Sequence, residues 1–169
     1  MYKTMCTWND HNYATSFWGL LFLLSKFVEL GDTAFIVLRK QKLIFLHWFH
    51  HVATLVLCWV GFSYYDAIGR IYFINTFVHS FMYTYYALSV LKVRIPRRLA
   101  MVLTTVQILQ MFFALSLNFV SMYYIVIGEQ CGRSMEVIFL VLFVVAVVVS
   151  LFINFFVKSY LTPKLKKLQ

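Results

Sequence analysis

The sequence predicts an all-α, multi-pass transmembrane helical bundle, and three observations carry that prediction. Of 169 residues, 62% are hydrophobic and only 12% are Asp, Glu, Lys or Arg, whereas about a quarter of a soluble domain is charged. The apolar residues come in five stretches, each near the 20 or so residues that cross a hydrocarbon core at about 1.5 Å per residue. Short polar or basic segments separate them, so residues 1–169 read as one domain.

Residues 1–15 form a polar, aromatic lead that holds Cys6, Asp10 and His11 and no chemical motif. Residues 1–12 have neither the apolar run nor the small-residue cleavage site of a secretory peptide, so the first apolar stretch is expected to stay in the bilayer. That stretch, residues 16–38, is the first predicted span. After Arg39-Lys40-Gln41-Lys42 comes the second, residues 43–65, with His47, His50 and His51 in its first half. A turn over residues 66–70 leads to the third, residues 71–91. The basic loop Lys92-Val93-Arg94-Ile95-Pro96-Arg97-Arg98, where Pro96 suits a break, leads to the fourth, residues 99–127. The polar turn of residues 128–134 precedes the fifth, residues 135–157, and residues 158–169 make a basic tail. Five crossings would put the two ends of the chain on opposite sides.

Charge sets the orientation. The chain carries 15 Lys and Arg against 6 Asp and Glu, a net charge of +9. In a soluble protein a basic face of that size points to nucleic acid. Here most of the basic residues fall in three groups, residues 39–42, residues 92–98 and the tail, while the other side holds Lys3, Arg70 and Arg133. The positive-inside rule makes the three groups and the C-terminus cytosolic and leaves no nucleic-acid partner to expect. Cys6 and Cys131 then share the lumenal, oxidising side, where they are either a disulfide or two free thiols. Cys58 lies within the second span. The last four residues, Lys166-Lys167-Leu168-Gln169, have the form of a dilysine retrieval signal read by a receptor, and equally of a basic tail that touches anionic lipid.

Polar side chains within the spans lie at one depth. Counted from the cytosolic end, Asp32, Glu29 and Lys26 lie roughly 9, 14 and 18 Å into the first span, and His47, His50 and His51 roughly 6 to 12 Å into the second. His79 lies roughly 18 Å into the third, and Gln107 and Gln110 roughly 12 to 17 Å into the fourth. Each of these helices also gathers its polar residues on one stripe, with Asn75, His79, Met82, Tyr83 and Tyr86 on the third. The fifth span adds only Ser150 and Asn154. Its Val/Phe run suits a wall against lipid or an acyl chain. Ionisable groups at membrane depth are costly and usually functional, and adhesion between helices does not require the one side chain that titrates near neutral pH.

Three chemistries use such a belt. A His-x-x-His-His box is a spacing found in membrane di-iron sites, and imidazole suits iron. Those sites draw on about eight histidines, and this chain has 5, so a two-metal centre is not expected. A single three-histidine zinc remains open. The second chemistry is acyl transfer with imidazole as nucleophile or base. No cysteine lies in the belt, so His would have to carry the acyl group. Basic clusters at its mouth would suit the phosphates of a coenzyme A thioester. The third is non-enzymatic, a small channel or transporter that relays protons through the His/Glu/Asp belt.

Four motifs narrow the choice. Lys26-Phe27-Val28-Glu29-Leu30-Gly31-Asp32-Thr33, His47-Trp48-Phe49-His50-His51, His79-Ser80-Phe81-Met82-Tyr83-Thr84-Tyr85-Tyr86 and Thr104-Thr105-Val106-Gln107-Ile108-Leu109-Gln110 together resemble the signature motifs of the ELOVL (ELO) family of very-long-chain fatty-acid elongases. They stand in family order and cover nearly the whole chain. Arg39-Lys40-Gln41-Lys42-Leu43-Ile44-Phe45-Leu46 looks most like the subgroup that extends long-chain saturated and monounsaturated acyl-CoAs such as palmitoyl-CoA. The resemblance implies a 3-ketoacyl-CoA synthase of the endoplasmic reticulum membrane, which condenses an acyl-CoA with malonyl-CoA and releases CO2 and CoA. It implies no metal and no cofactor. The lipid bilayer, the other enzymes of the elongation cycle and a second copy of the chain are the partners it suggests.

By the same resemblance, His50 takes the acyl group, and His79 and Asn75 lie close to the thioester and the malonyl unit. His47 and His51 tune that pair, Glu29 and Asp32 hold the imidazoles, and Gln107 and Gln110 donate to a thioester or enolate oxygen. Lys26, Tyr83 and Tyr86 support the site. Cys6 and Cys131 sit where family members carry a lumenal cysteine pair. Members have seven crossings, and this chain begins just ahead of what would be the third. A fragment is therefore expected, and five helices alone would leave one side of the belt open.

Overall fold

A computed structural model of the chain describes Cys6, residues 13–64 and residues 69–162. The lead residue His11 and the dilysine-like end, residues 166–169, lie outside the described residues. Among the described residues, five α-helices follow one another: α1 Tyr13–Leu38, α2 Phe45–Ser63, α3 Gly69–Val90, α4 Arg97–Val126 and α5 Met135–Phe156. A single π-helical turn, Val157–Leu161, continues α5. It occupies the start of what the sequence reads as the tail.

Among the described residues, three helical stretches are long and apolar enough to cross a membrane: Phe45–Ser63, Arg97–Val126 and Met135–Leu161. The sequence predicts five crossings. The other two helices, α1 and α3, are the ones whose polar stripes are richest, and Lys26, Glu29 and Asp32 on α1 and Asn75, His79 and Ser80 on α3 lower their hydropathy. Polar stripes of that kind are tolerated at depth where they face protein rather than lipid. Burial agrees for Lys26, Glu29 and His79, which are 3%, 8% and 7% exposed, whereas Ser80 is exposed.

Helix contacts run α1 to α2, α2 to α5, α5 to α4, α4 to α3 and α3 back to α1. The five helices thus close a ring. α3 reaches back across to α1, with the Lys26 ammonium donating to Asn75 Oδ1 at 2.7 Å and the Tyr83 hydroxyl donating to Asp32 Oδ2 at 2.6 Å, while Tyr86 on the α3 stripe remains 45% exposed.

Three helix ends share one local solution. α1, α3 and α4 each place a left-handed residue two positions past their last helical residue: Lys40 at φ 54°, Lys92 at φ 59° and Gly128 at φ 85°. Each end pairs its N–H groups backward in the Schellman pattern, Lys40 N–H to Val37 O and Gln41 N–H to Ile36 O, with the same offsets after α3 and α4. This satisfies carbonyls that the helix end leaves without partners. Lysine at two of the three positions also sets a positive charge beside the negative end of the helix dipole.

The far end is held differently. Cys6 and Cys131 form a disulfide, with Cα atoms 4.1 Å apart, and Gly132 N–H donates to Cys6 O at 2.8 Å. Two residues on, Arg133 is buried. Its guanidinium donates to Ser121 Oγ and Asn118 Oδ1, each at 2.9 Å, and Asn118 Nδ2 donates to Ala114 O. A loop cation is thus folded into α4.

Candidate active site

Charge placement begins on α1. Lys26, Glu29 and Asp32 stand three residues apart, so one helix face carries all three. An unpaired charge at this depth would cost several kcal/mol; Lys26 and Glu29 pair with each other, and Asp32 accepts a hydrogen bond. Lys26 Nζ donates to Glu29 Oε1 at 2.6 Å and lies 4.6 Å from the centroid of the Phe22 ring. Glu29 Oε2 faces His79 Nδ1 at 3.4 Å and His51 Nδ1 at 4.0 Å. These are ion-pair distances without hydrogen-bond alignment. Asp32 is occupied by Tyr83 and makes no hydrogen bond to an imidazole among the described residues.

The four imidazoles gather from α2 and α3. His47 and His51, one turn apart, have ring centroids 4.5 Å apart, and His50 and His51 are 5.6 Å apart. His50 lies about 100° around α2 from His51. That rotation takes it away from Glu29 and brings it 5.5 Å from Phe152 of α5, while its ring stays near parallel to that of His79 at 6.4 Å. Gln107 Nε2 donates to Met82 Sδ at 3.2 Å. Tyr86 stands 6.3 Å from Tyr83, at the more exposed edge of the cluster.

Among the described residues, six buried polar atoms of this layer have no hydrogen-bond partner: Glu29 Oε2, Thr33 Oγ1, His47 Nε2, His50 Nδ1, His51 Nδ1 and His79 Nδ1. Buried polar groups are ordinarily satisfied, and here the exceptions gather in one layer. Among the described residues, no three His, Cys, Asp or Glu side chains converge as metal ligands.

Two cavities meet at this layer. One, of about 310 Å³, sets His47, His51, His79, Gln107, Thr104 and Tyr160 among apolar side chains such as Leu46, Leu103 and Phe155, and is the more polar of the two. The other, of about 140 Å³, has Lys26, Asn75 and Gln110 at its polar end, and most of the rest of its wall is apolar, including Leu57 and Val141, Val144, Val145 and Val148. His50 lines both. A nucleophile there could meet a polar head from one side and a hydrocarbon tail from the other.

Residues 1–168 match the GNS1/SUR4 family. This chain belongs to the ELO family. Relatives carry names that agree with that placement. Human very long chain fatty acid elongase 3 is 41% identical over 97% of this chain and 61% of its own length. Mouse very long chain fatty acid elongase 3 is 45% identical over 88% of the chain and 55% of its own length. Human very long chain fatty acid elongase 6 is 41% identical over 81% and 52%. The chain therefore spans about three fifths or less of the length of these relatives. No solved structure matches it.

In this ELO chain the fold brings Lys26, Glu29, Asn75, His51 and His79 into one connected cluster, with His47 and His50 beside it. Gln110 faces the apolar cavity and Gln107 the polar one. Cys58, the free thiol, lines the apolar cavity. Sequence reasoning did not single out Tyr160, Thr104 and Phe152. Tyr160, in the π turn, reaches the wall of the polar cavity, and its hydroxyl lies 3.4 Å from Thr104 Oγ1. The continued aromatic spacing of Phe152, Phe156 and Tyr160 is the signal that could have found it, since it carries the helical period past Lys158. Arg97 clasps the same turn, donating to Ser159 O and lying 5.8 Å from the Tyr160 ring.

Proposed function

We propose that this protein is a fatty-acid elongase of the endoplasmic reticulum membrane. In that role it condenses a long-chain acyl-CoA with malonyl-CoA, giving a 3-ketoacyl-CoA two carbons longer, CO2 and CoA. One observation carries the reading: His50 stands where a polar, histidine-lined cavity meets an apolar one. An acyl-CoA has that division built in. Its thioester would lie at His50, its chain among the valines of α5, and its CoA portion toward the basic loops.

The proposed chemistry balances without a redox step. An imidazole nitrogen of His50 attacks the thioester carbon, the C–S bond breaks, and CoA leaves as a thiol after taking up a proton. Malonyl-CoA then loses CO2, and its α-carbon attacks the acyl carbon. The new C–C bond forms as the C–N bond to His50 breaks. His79, near parallel to His50 and beside Glu29, is placed to move the protons. His47 and His51 support His50, and Gln107 and Gln110 would donate to developing oxyanions. The proton-relay alternative has no use for a cavity walled by valine.

The test is incorporation of labelled malonyl-CoA into 3-ketoacyl-CoA by membranes that contain the chain, across a range of acyl-CoA lengths. Label above the background of membranes lacking the chain supports the reading. Its absence at every length removes it.

A further inference from the structure

We propose that Lys26 is a positioning residue. It fixes the side-chain amide of Asn75 with the NH2 group toward the apolar cavity, and that NH2 is the hydrogen-bond donor to the acyl carbonyl oxygen. This rests on the condensation reading above.

An ammonium has three N–H donors and no acceptor. Two of them reach Glu29 Oε1 at 2.6 Å and Asn75 Oδ1 at 2.7 Å, and the Phe22 ring, 4.6 Å away, takes another side. At 3% exposure the group is sealed from solvent. Lys26 therefore has no donor to spare for a phosphate or a carboxylate of substrate. It acts through its two partners.

The amide of Asn75 follows from that contact. Turning it over would set an NH2 against an ammonium at 2.7 Å, donor against donor, so the oxygen must face Lys26. The amide is planar, and its NH2 then points the other way. Asn75 lines the apolar cavity together with His50 and Gln110, and its Nδ2 makes no hydrogen bond among the described residues. Asn75 also stands one turn from His79 on the same face of α3. A preset donor aimed at a carbonyl oxygen that gains charge contributes about 10²- to 10³-fold to kcat in other acyl transfers. Here the donor is set by a cation that borders the same cavity but has its own N–H groups committed to Glu29 and Asn75. The same cation holds Glu29 with its other oxygen toward His79 and His51.

The plain competitor is that Asn75 is only a polar partner for a buried lysine. Asn75→Asp separates the two, because a carboxylate still accepts from Lys26 but cannot donate. We expect Asn75→Asp to accumulate and melt like the wild type, to lose at least about 30-fold in kcat, and to keep its KM for acyl-CoA within about threefold. Wild-type turnover with Asn75→Asp at full kcat overturns this assignment alone. Absence of wild-type turnover overturns the condensation reading and this one with it. A second measurement reads the bound carbonyl directly. In His50→Ala, which cannot take the acyl group, the infrared carbonyl band of bound carbonyl-¹³C palmitoyl-CoA should lie below its position in an apolar solvent. A band at the apolar position overturns the assignment.

Discussion

Glu29 joins three other side chains of the site. One oxygen neutralises Lys26, and the other faces the Nδ1 atoms of His79 and His51. The carboxylate charge thus lies on the Nδ1 side of both rings. Glu29→Gln keeps the size of the side chain and removes its charge, and we expect kcat to fall by roughly 10² in a condensation assay, the lower range of what a misplaced acid or base costs. Tyr83→Phe acts on stability instead. It strips Asp32 of its bond from the Tyr83 hydroxyl, and hydrogen bonds to charged groups contribute about 1.5–3 kcal/mol. A lower melting temperature in detergent checks it. The spacing of the histidines was legible in the sequence because i, i+3 and i+4 place side chains on one helix face whatever surrounds them. The partners were less legible. Asp32 meets a tyrosine 51 positions away, and only the packing of α3 against α1 decides that.

Elements carry two further predictions. α5 supplies the valine wall of the apolar cavity, so Val144→Trp should fill the space for the end of an acyl chain and shift products toward shorter acyl lengths with little change in total expression. Gas chromatography of the elongated acids checks it. At the helix ends, Lys40 and Lys92 hold the left-handed conformation, which costs a residue with a Cβ roughly 1–2 kcal/mol. Lys40→Gly should raise stability by about 1 kcal/mol or less, the loss of a favourable charge at the helix end offsetting part of the gain. The helices themselves were readable from runs of apolar residues, and Pro96 and the basic clusters marked their limits. Arg133 and Tyr160 were not. Both lie where sequence suggests a loop or a tail, and each is drawn inward by side chains of α4, Asn118 and Ser121 for Arg133 and Thr104 for Tyr160.

At the scale of the whole molecule, a ring of five helices surrounds the polar layer, and the ends of the ring are closed by different means. The disulfide joins positions 125 residues apart and leaves Cys58 as the free thiol. Thiol labelling under denaturing conditions should count one reactive cysteine before reduction and all 3 after it. Closure of the ring was not legible in the sequence, because the periodicity of each helix gives the face that turns inward but not which helix becomes its neighbour. The common depth of the belt was legible, since rise per residue alone sets it.

The central claim is that His50, at the meeting of the two cavities, carries the acyl group. The most direct measurement is mass spectrometry of the protein incubated with palmitoyl-CoA in the absence of malonyl-CoA, in the wild type and in His50→Ala. The account predicts one acyl mass on the wild-type chain, mapped to the peptide that contains His50, discharged by malonyl-CoA and absent from His50→Ala. An acyl adduct of the same amount on His50→Ala, or one mapped to Cys58, would contradict it.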